Sequence, residues 1–257
     1  MIFVLIFTIL LSGMLGVSIG YHRYLAHKSF KPTTWFKFLI VFLGIPAGTP
    51  IQWAGNHRAH HKYHDTELDP HSPYYGGLLW AHTGWYLQTK NPILCIIYAL
   101  GGPLRTLFDA IYRPLTNQEY NHYAKDIAND PMLAWMSKPL HYFILVLFHT
   151  LGFLILVYYF LGLKGILITY LCYLYVYNVG DGVDSIGHMW GRRIQNSKHQ
   201  ARNNIVLGIL AFGDGWHANH HERPHLCKHG NAWWQLDLSY YTLKLLSRLG
   251  IVTNLKE

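Results

Sequence analysis

Leu140-HYFILVLFHTLGFLILVYYF-Leu161 is followed, after the single residue Gly162, by Leu163-KGILITYLCYLYVYN-Val179. At about 1.5 Å per residue the first run can cross a hydrocarbon layer of about 30 Å, and the second can if its helix continues to residue 183. One glycine between them allows only a tight hairpin, so both outer ends return to one face of a membrane. Met1–Ile19 is a third such run. It lacks a basic leading region and a small-residue cleavage site, so it reads as a retained span rather than a removed signal peptide. A buried core helix would explain one of these runs but not three together. Composition agrees, with 51% hydrophobic and only 13% charged residues, low in charge for a soluble domain. The fold expected is an all-α integral membrane protein with three or four transmembrane helices (about 1–19, 140–161 and 163–183). Residues 1–257 form a single domain with a helical histidine-box layer on the cytoplasmic face.

That layer is written in two copies of H-x-x-H-H, His57-Arg-Ala-His60-His61 and His217-Ala-Asn-His220-His221. On a helix, positions i, i+3 and i+4 share a face. Three imidazoles gathered this way offer little to an apolar core, whereas neutral imidazole is the commonest nitrogen donor to transition metals. His22 and His27 close the first apolar run, and His188 follows the last. With 18 histidines in 257 residues some clustering is expected by chance, and His141 and His149, inside an apolar run, read as packed or hydrogen-bonded side chains. The repeated register does not yield to that explanation.

Topology can bring all these histidines together. Phe38–Ile51 is apolar but short, and Gly44, Pro46, Gly48 and Pro50 interrupt it, which a clean spanning helix tolerates poorly. If it crossed, His22/His27 and His57–His61 would lie on opposite sides. If it dips in and returns, or lies at the interface, every box shares one face. Arg23, Lys28, Lys31, Lys37, Arg58 and Lys62 flank the first boxes, and Arg192, Arg193, Lys198 and Arg202 follow the last span, while the hairpin tip carries only Lys164. By the positive-inside rule that face is cytoplasmic, or stromal in an organelle. The net charge of +8 thus reads as attraction to anionic lipid and not to nucleic acid. Cys95, Cys172 and Cys227 form no CxxC pattern and suggest neither a disulfide framework nor an iron–sulfur cluster. Gly101-Gly102-Pro103, Arg113-Pro114 and Asp130-Pro131 punctuate short segments expected to belong to the polar-face layer. Asp237 to Leu249 has helical spacing and, with Trp233 and Trp234 before it, suits an interfacial helix.

The boxes offer nine imidazoles: His22, His27, His57, His60, His61, His188, His217, His220 and His221. Nine is too many for one ion and suits two ions of five or six coordination. All-nitrogen ligation admits iron, copper or zinc, and iron fits best if the task is oxygen activation.

The ordered run HRYLAH, HRAHH, DSIGH and WHANHH resembles the membrane fatty acid desaturases, most closely their Δ9 acyl-CoA and acyl-lipid group, over residues 15–235. Asp65-Thr-Glu-Leu-Asp69-Pro-His71, Gly84-Trp85, Gly213-Asp-Gly-Trp216 and Trp233-Trp234-Gln235 support it. The resemblance implies two iron ions and a reaction that uses O2 and two electrons to introduce a cis double bond, at Δ9, into a saturated acyl chain. It implies one ion near His22, His61, His188, His217 and His221, and the other near His27, His57, His60 and His220. An Asn four residues before the lone His holds a water on the second ion in the family; here Asp184 stands there and could bind the metal directly or through water. Of the carboxylates near the boxes, Asp69, Asp214 and Asp184 are the better candidates for orienting imidazoles or binding metal, while Glu67 reads as a solvated loop charge. Trp53, Trp85, Trp190 and Trp216 could line an acyl tunnel or simply pack. Two departures stand out. The first of the family's four spans has no counterpart here, and an Arg-Asp pair associated with the CoA headgroup in animal relatives is Gly55-Asn56, which favours an acyl-lipid over an acyl-CoA substrate. With no haem segment and no dinucleotide loop, an external electron donor, ferredoxin or cytochrome b5, is implied. Three competing readings remain. A lipid hydroxylase would use differently spaced boxes, a metal transporter would carry polar residues within its spans, and an inactive lipid-binding relative would not need complete boxes.

Overall fold

The computed structural model describes residues 2–112 and 120–257; the expected break at Arg113-Pro114 and the start of the first span at Met1 lie outside them. Among the described residues, two helices are long and apolar enough to cross a membrane, or up to four if each of two bent pairs counts as one span. The first, α1 (Leu5–Ala26), runs past the expected end at Ile19 and carries the first histidine pair on its last turns. Its Gly16 and Gly20 let α2 (Thr34–Gly44) approach closely. A Cβ on Gly16 would lie 2.5 Å from the Leu43 carbonyl carbon, and one on Gly20 would lie 2.7 Å from the Ile40 oxygen, the small-residue contact that lets membrane helices pack backbone to backbone.

Because Gly16 meets Leu43 and Gly20 meets Ile40, α2 runs antiparallel to α1. The chain breaks at Ile45–Ala47 and turns by 74° into α3 (Pro50–Tyr63). Pro50 stands at the first helical position, where its missing N–H costs nothing, and the Thr49 hydroxyl accepts from Gln52 N at 3.2 Å. α3 carries His57, His60 and His61. Its His57 Nε2 lies 2.9 Å from His27 Nε2 at the end of α1, so no bilayer separates the two. The break therefore turns the apolar stretch back toward the end of α1.

Two further helices, α4 (Pro92–Ala99) and α5 (Pro103–Tyr112), fall where the sequence reading expects polar-face segments. They are bent by 112° and expose Ile93, Ile97, Leu104 and Ile111. This departs from the expectation, because Gly101-Gly102-Pro103 divides their apolar residues into pieces too short to register as a membrane segment.

The second long helix, α6 (Pro139–Met189), is broken only at Gly162, whose φ of 60° is the left-handed value glycine tolerates. A hydrogen bond between His149 and Tyr173 (3.3 Å) and contact between Val157 and Gly165 close it into the expected hairpin. Its end presents His188. α7 (His217–Glu222) carries the last box, and α8 (Leu238–Arg248) begins where Asp237 accepts from Tyr240 N at 3.0 Å. α8 rests against α1 through Ser18 and Ser239 (2.8 Å). A two-residue antiparallel pairing, β1 (Lys31–Pro32) with β2 (Val252–Thr253), pins the later segment to the turn between α1 and α2. Ile19, Tyr21, Leu25, Ile40, Ile45 and Met136 form the heart of the core beneath this layer.

Candidate metal centre

His22 and His27 are five residues apart, a spacing that an α-helix would splay by about 140°. The end of α1 is instead wound with π-type turns, and the His27 N–H bonds the His22 carbonyl at 3.2 Å. A wider turn stacks i over i+5, and such turns recur at functional sites. His57 and His61 on α3 share a face as i and i+4, as do His217 and His221 on α7.

These elements assemble two clusters. His22, His27, His57, His61 and His220 form the first, and His60, His188, His217 and His221 the second, with all donor atoms of a cluster within 4.8 Å of one another. The structure brings all nine sequence candidates into these clusters, but the division differs from the one the resemblance implied. His22 and His61 join the first cluster and His60 the second. The reason is helical: each box gives its i, i+4 pair to one cluster and its i+3 residue to the other, so the two boxes interlock. His141 donates to the Trp135 carbonyl at 3.0 Å, and His149 bonds Tyr173, as packed side chains do.

Within the first cluster the Nε2···Nε2 distances are 3.0 Å for His22–His220, 3.1 Å for His57–His61 and 3.0 Å for His61–His220. In the second they are 3.0 Å for His188–His217, 3.1 Å for His217–His221 and 3.3 Å for His60–His221. A metal–nitrogen bond of about 2.1 Å puts neighbouring nitrogens about 3.0 Å apart in octahedral and about 3.4 Å apart in tetrahedral coordination. The spacing matches ions of high coordination number.

The tautomers point the same way. His60 Nδ1 lies 3.0 Å from both Asp69 oxygens, and His22 Nδ1 lies 3.2 Å from Asp214. A carboxylate holding Nδ1–H leaves Nε2 as a bare lone pair, and bare lone pairs 3 Å apart repel unless a cation sits between them. Burial, then the neighbouring rings, holds His27, His217, His220 and His221 well below the ordinary imidazole range, so they remain neutral donors. Burial would raise the Asp214 carboxyl, but His22 and the Arg23 guanidinium outweigh it and keep it well below the usual carboxylate range.

Asp184 lies one turn before His188 but belongs to neither cluster. It faces the cavities beside them. Glu67 is exposed, as a solvated loop charge would be. Two histidines were missed. His71 stacks on His60 at 4.4 Å, and His229 Nδ1 lies 3.2 Å from Asp214 with its ring 4.5 Å from His220. Asp69-Pro-His71 carried a signal for the first; nothing in the sequence around His229 marks the second. Asp65, 3.8 Å from His188 Nδ1, is a third carboxylate on the cage.

An apolar cavity runs from the clusters between α1 and α6, lined by Thr8, Gly13, Val17, Cys172, Val176 and Phe212 and reaching His22, His57 and Asp184. A second, more polar cavity opens from the same point past Gln52, Asn56, His71, Trp85 and Tyr120. Trp53 lines both and stacks on His57 at 5.0 Å. Trp216 is instead buried, its indole N–H donating to the Leu236 carbonyl at 2.8 Å, and Trp190 is exposed.

A buried multi-imidazole cage at the end of an apolar cavity, in a chain with membrane-length apolar helices, is an arrangement that could hold metal beside an apolar ligand. The fatty acid desaturase family profile matches residues 1–248. The chain is 32% identical to the sn-1 stearoyl-lipid 9-desaturase of Anabaena variabilis, covering 96% of this chain and 80% of that one. It is 34% identical to the sn-2 palmitoyl-lipid 9-desaturase of Nostoc sp. (strain 36), over 96% and 78%, and 33% identical to the acyl-CoA C20 Delta5-desaturase of Anemone leveillei, over 95% and 70%. The chain belongs to the fatty acid desaturase family and is an oxidoreductase of lipid metabolism.

Proposed function

We propose that this protein introduces a cis double bond, at Δ9, into the saturated acyl chain of a membrane lipid. The reaction consumes O2, two electrons from an external ferredoxin or cytochrome b5, and two protons, and releases two waters. The two clusters would hold two iron ions, on the cytoplasmic or stromal side of the membrane. The observation that carries this reading is the joining of the interlocked clusters to the apolar cavity at His22, His57 and Asp184. Bound iron would activate O2, which supplies the oxidising equivalents.

The remaining work falls to the chain's own residues. The apolar cavity would take the methyl end of the acyl chain and fix which carbon pair passes Trp53 and His57. A misplacement of about 1 Å is enough to lose much of the rate, so the cavity's depth sets the position of the double bond. Asp69 and Asp214 hold His60 and His22 by their Nδ1 atoms and raise their basicity toward metal. Asp184 would hold a solvent molecule or the metal itself at the junction of the cavities. Gly55-Asn56, where animal relatives carry the Arg-Asp pair associated with the CoA headgroup, favours an acyl-lipid substrate over acyl-CoA.

The test is expression of the chain with a reductase system and gas chromatography of the lipid products. His60→Ala and His220→Ala should each abolish unsaturated product while leaving membrane insertion intact. Wild-type product from either variant would overturn the ligand assignment, and an alcohol in place of an alkene would overturn the reaction.

A further inference from the structure

The α4–α5 pair is amphipathic the wrong way round for a water-facing surface. Its inward side is polar. Arg105, 3% exposed, gives its Nη1 to Asp181 of α6 at 2.6 Å, the Tyr98 hydroxyl donates to Asp109 at 2.6 Å, and Thr106 meets the Tyr177 hydroxyl. The guanidinium also lies 4.4 Å from the centres of the Tyr98 and Tyr177 rings, a cation–π arrangement strengthened by the absence of water. The outward side is apolar: Ile93 66%, Ile97 61%, Leu104 71% and Ile111 68% exposed. Facing water, this would leave a large apolar patch open while burying its charges. Facing lipid, both halves are satisfied.

The pair is too short and too bent to cross. Its helices measure about 12 Å and 15 Å at 1.5 Å per residue, and the 112° turn between them sends the chain back. The turn itself exposes backbone carbonyls, which hydrocarbon does not tolerate, and α6 supplies their partners. Asn178 Nδ2 donates to the Ala99 carbonyl at 3.0 Å and the Tyr170 hydroxyl to that of Leu100. Gly102, at φ 51°, sits against the Tyr170 ring, where a Cβ would come within 2.7 Å. These contacts also fix the depth. Along α6, Asn178 lies about 15 Å and Tyr170 about 27 Å from His188, against a hydrocarbon thickness of about 30 Å. Arg105, three residues beyond the turn, has already climbed back to Asp181. At the outer end Lys90 and Asn91 are polar and exposed, with Asn91 capping α4 at 2.9 Å.

We infer that α4 and α5 form a re-entrant hairpin seated among the lipid acyl chains, entering from the side that bears the clusters, its tip between about 15 and 27 Å along α6 from His188. The occupant of its outer face is lipid hydrocarbon. Its inner face supplies Arg105 to the wall of the apolar cavity, beside Tyr177 and Asp181 of α6, so lipid would press directly on the far side of that wall. This goes beyond the proposed reaction and does not depend on it.

The test is spin-label depth measurement on the full chain in phosphatidylcholine vesicles. Single cysteines replace Ile93, Ile97, Leu104 and Ile111, with Glu67→Cys as a water-facing reference. Cys95, Cys172 and Cys227 are buried, and wild-type labelling sets the background. The ratio of O2 to nickel-chelate accessibility should exceed the Glu67 value severalfold at all four positions, and Ile97 and Leu104 should read deeper than Ile93 and Ile111. A water-like ratio at the four positions would overturn the inference. So would a depth that changes steadily from Ile93 to Ile111, which means crossing, or immobile labels reached by neither reagent, which means a protein partner or second copy.

Discussion

Asp69→Asn removes one negative charge and almost no volume from the cage. Both Asp69 oxygens lie 3.0 Å from His60 Nδ1, and one accepts from the His71 N–H at 3.1 Å. Hydrogen bonds to charged partners contribute about 1.5–3 kcal/mol, and loss of a carboxylate behind a ligating histidine typically costs about 10–100-fold in metal affinity. The two figures agree, since tenfold is about 1.4 kcal/mol. His60 belongs to the cluster with four imidazoles, while the other has five. The smaller cluster therefore has less to lose, and the substitution should empty it first. Purified wild-type protein dialysed against graded free Fe2+ and analysed by plasma mass spectrometry should hold two ions. The variant should fall to one over a range of free iron that leaves the wild type full. Two ions held with unchanged affinity would refute the argument that Asp69 orients His60. Loss of both ions together would refute the independence of the clusters, provided that the thermal midpoint of the metal-free protein is unchanged.

Chelator-treated protein should lose stability as pH falls from 7 to 5. His27, His217, His220 and His221 are held by burial and neighbouring rings below their unfolded value of 6.5. The unfolded chain therefore takes up protons in this window that the folded chain refuses, and stability falls with pH. Asp214, whose folded value is depressed, works in the same direction only further down, below the unfolded carboxylate range. A thermal midpoint in detergent that stays level or rises between pH 7 and 5 would contradict this. Val176→Phe should shift the products toward shorter acyl chains, because Val176 lines the apolar cavity between the clusters and its end at Cys172 and Thr8. Gas chromatography showing unchanged chain lengths and rates would count against that cavity as the acyl channel.

Much of the cage was legible in the sequence because helical spacing is local information. H-x-x-H-H on a helix has one meaning for the face it presents, and α3 and α7 obey it. The hairpin at Gly162 was equally plain, since no other fold of two long apolar runs fits a one-residue connection. What escaped depended on contacts between distant residues. The allocation of His60 and His220 to opposite clusters follows from how α3 and α7 meet, and the spacing of His22 and His27 makes sense only once α1 widens. His229 reaches the cage through Asp214 and shows no periodicity to betray it. The exposed apolar face of α4–α5 was hidden because Arg105 and Asp109, read along the chain, look like a solvated helix, whereas both are buried and the polar side faces inward. Asp184, expected to bind metal directly or through water, lies outside both clusters and faces the cavities where these meet His57.

The reciprocal sharing of imidazoles has a consequence for assembly. The first cluster joins His22 to His220, which are 198 positions apart, and the second joins His60 to His221, 161 apart. Neither half of the polypeptide contains a complete coordination set of either kind. A nascent chain that has emerged only as far as α6 holds four of the five imidazoles of the first cluster and two of the four of the second, so both sets are complete only once translation has passed His221. Any ion held as proposed would tie together the two ends of the polypeptide.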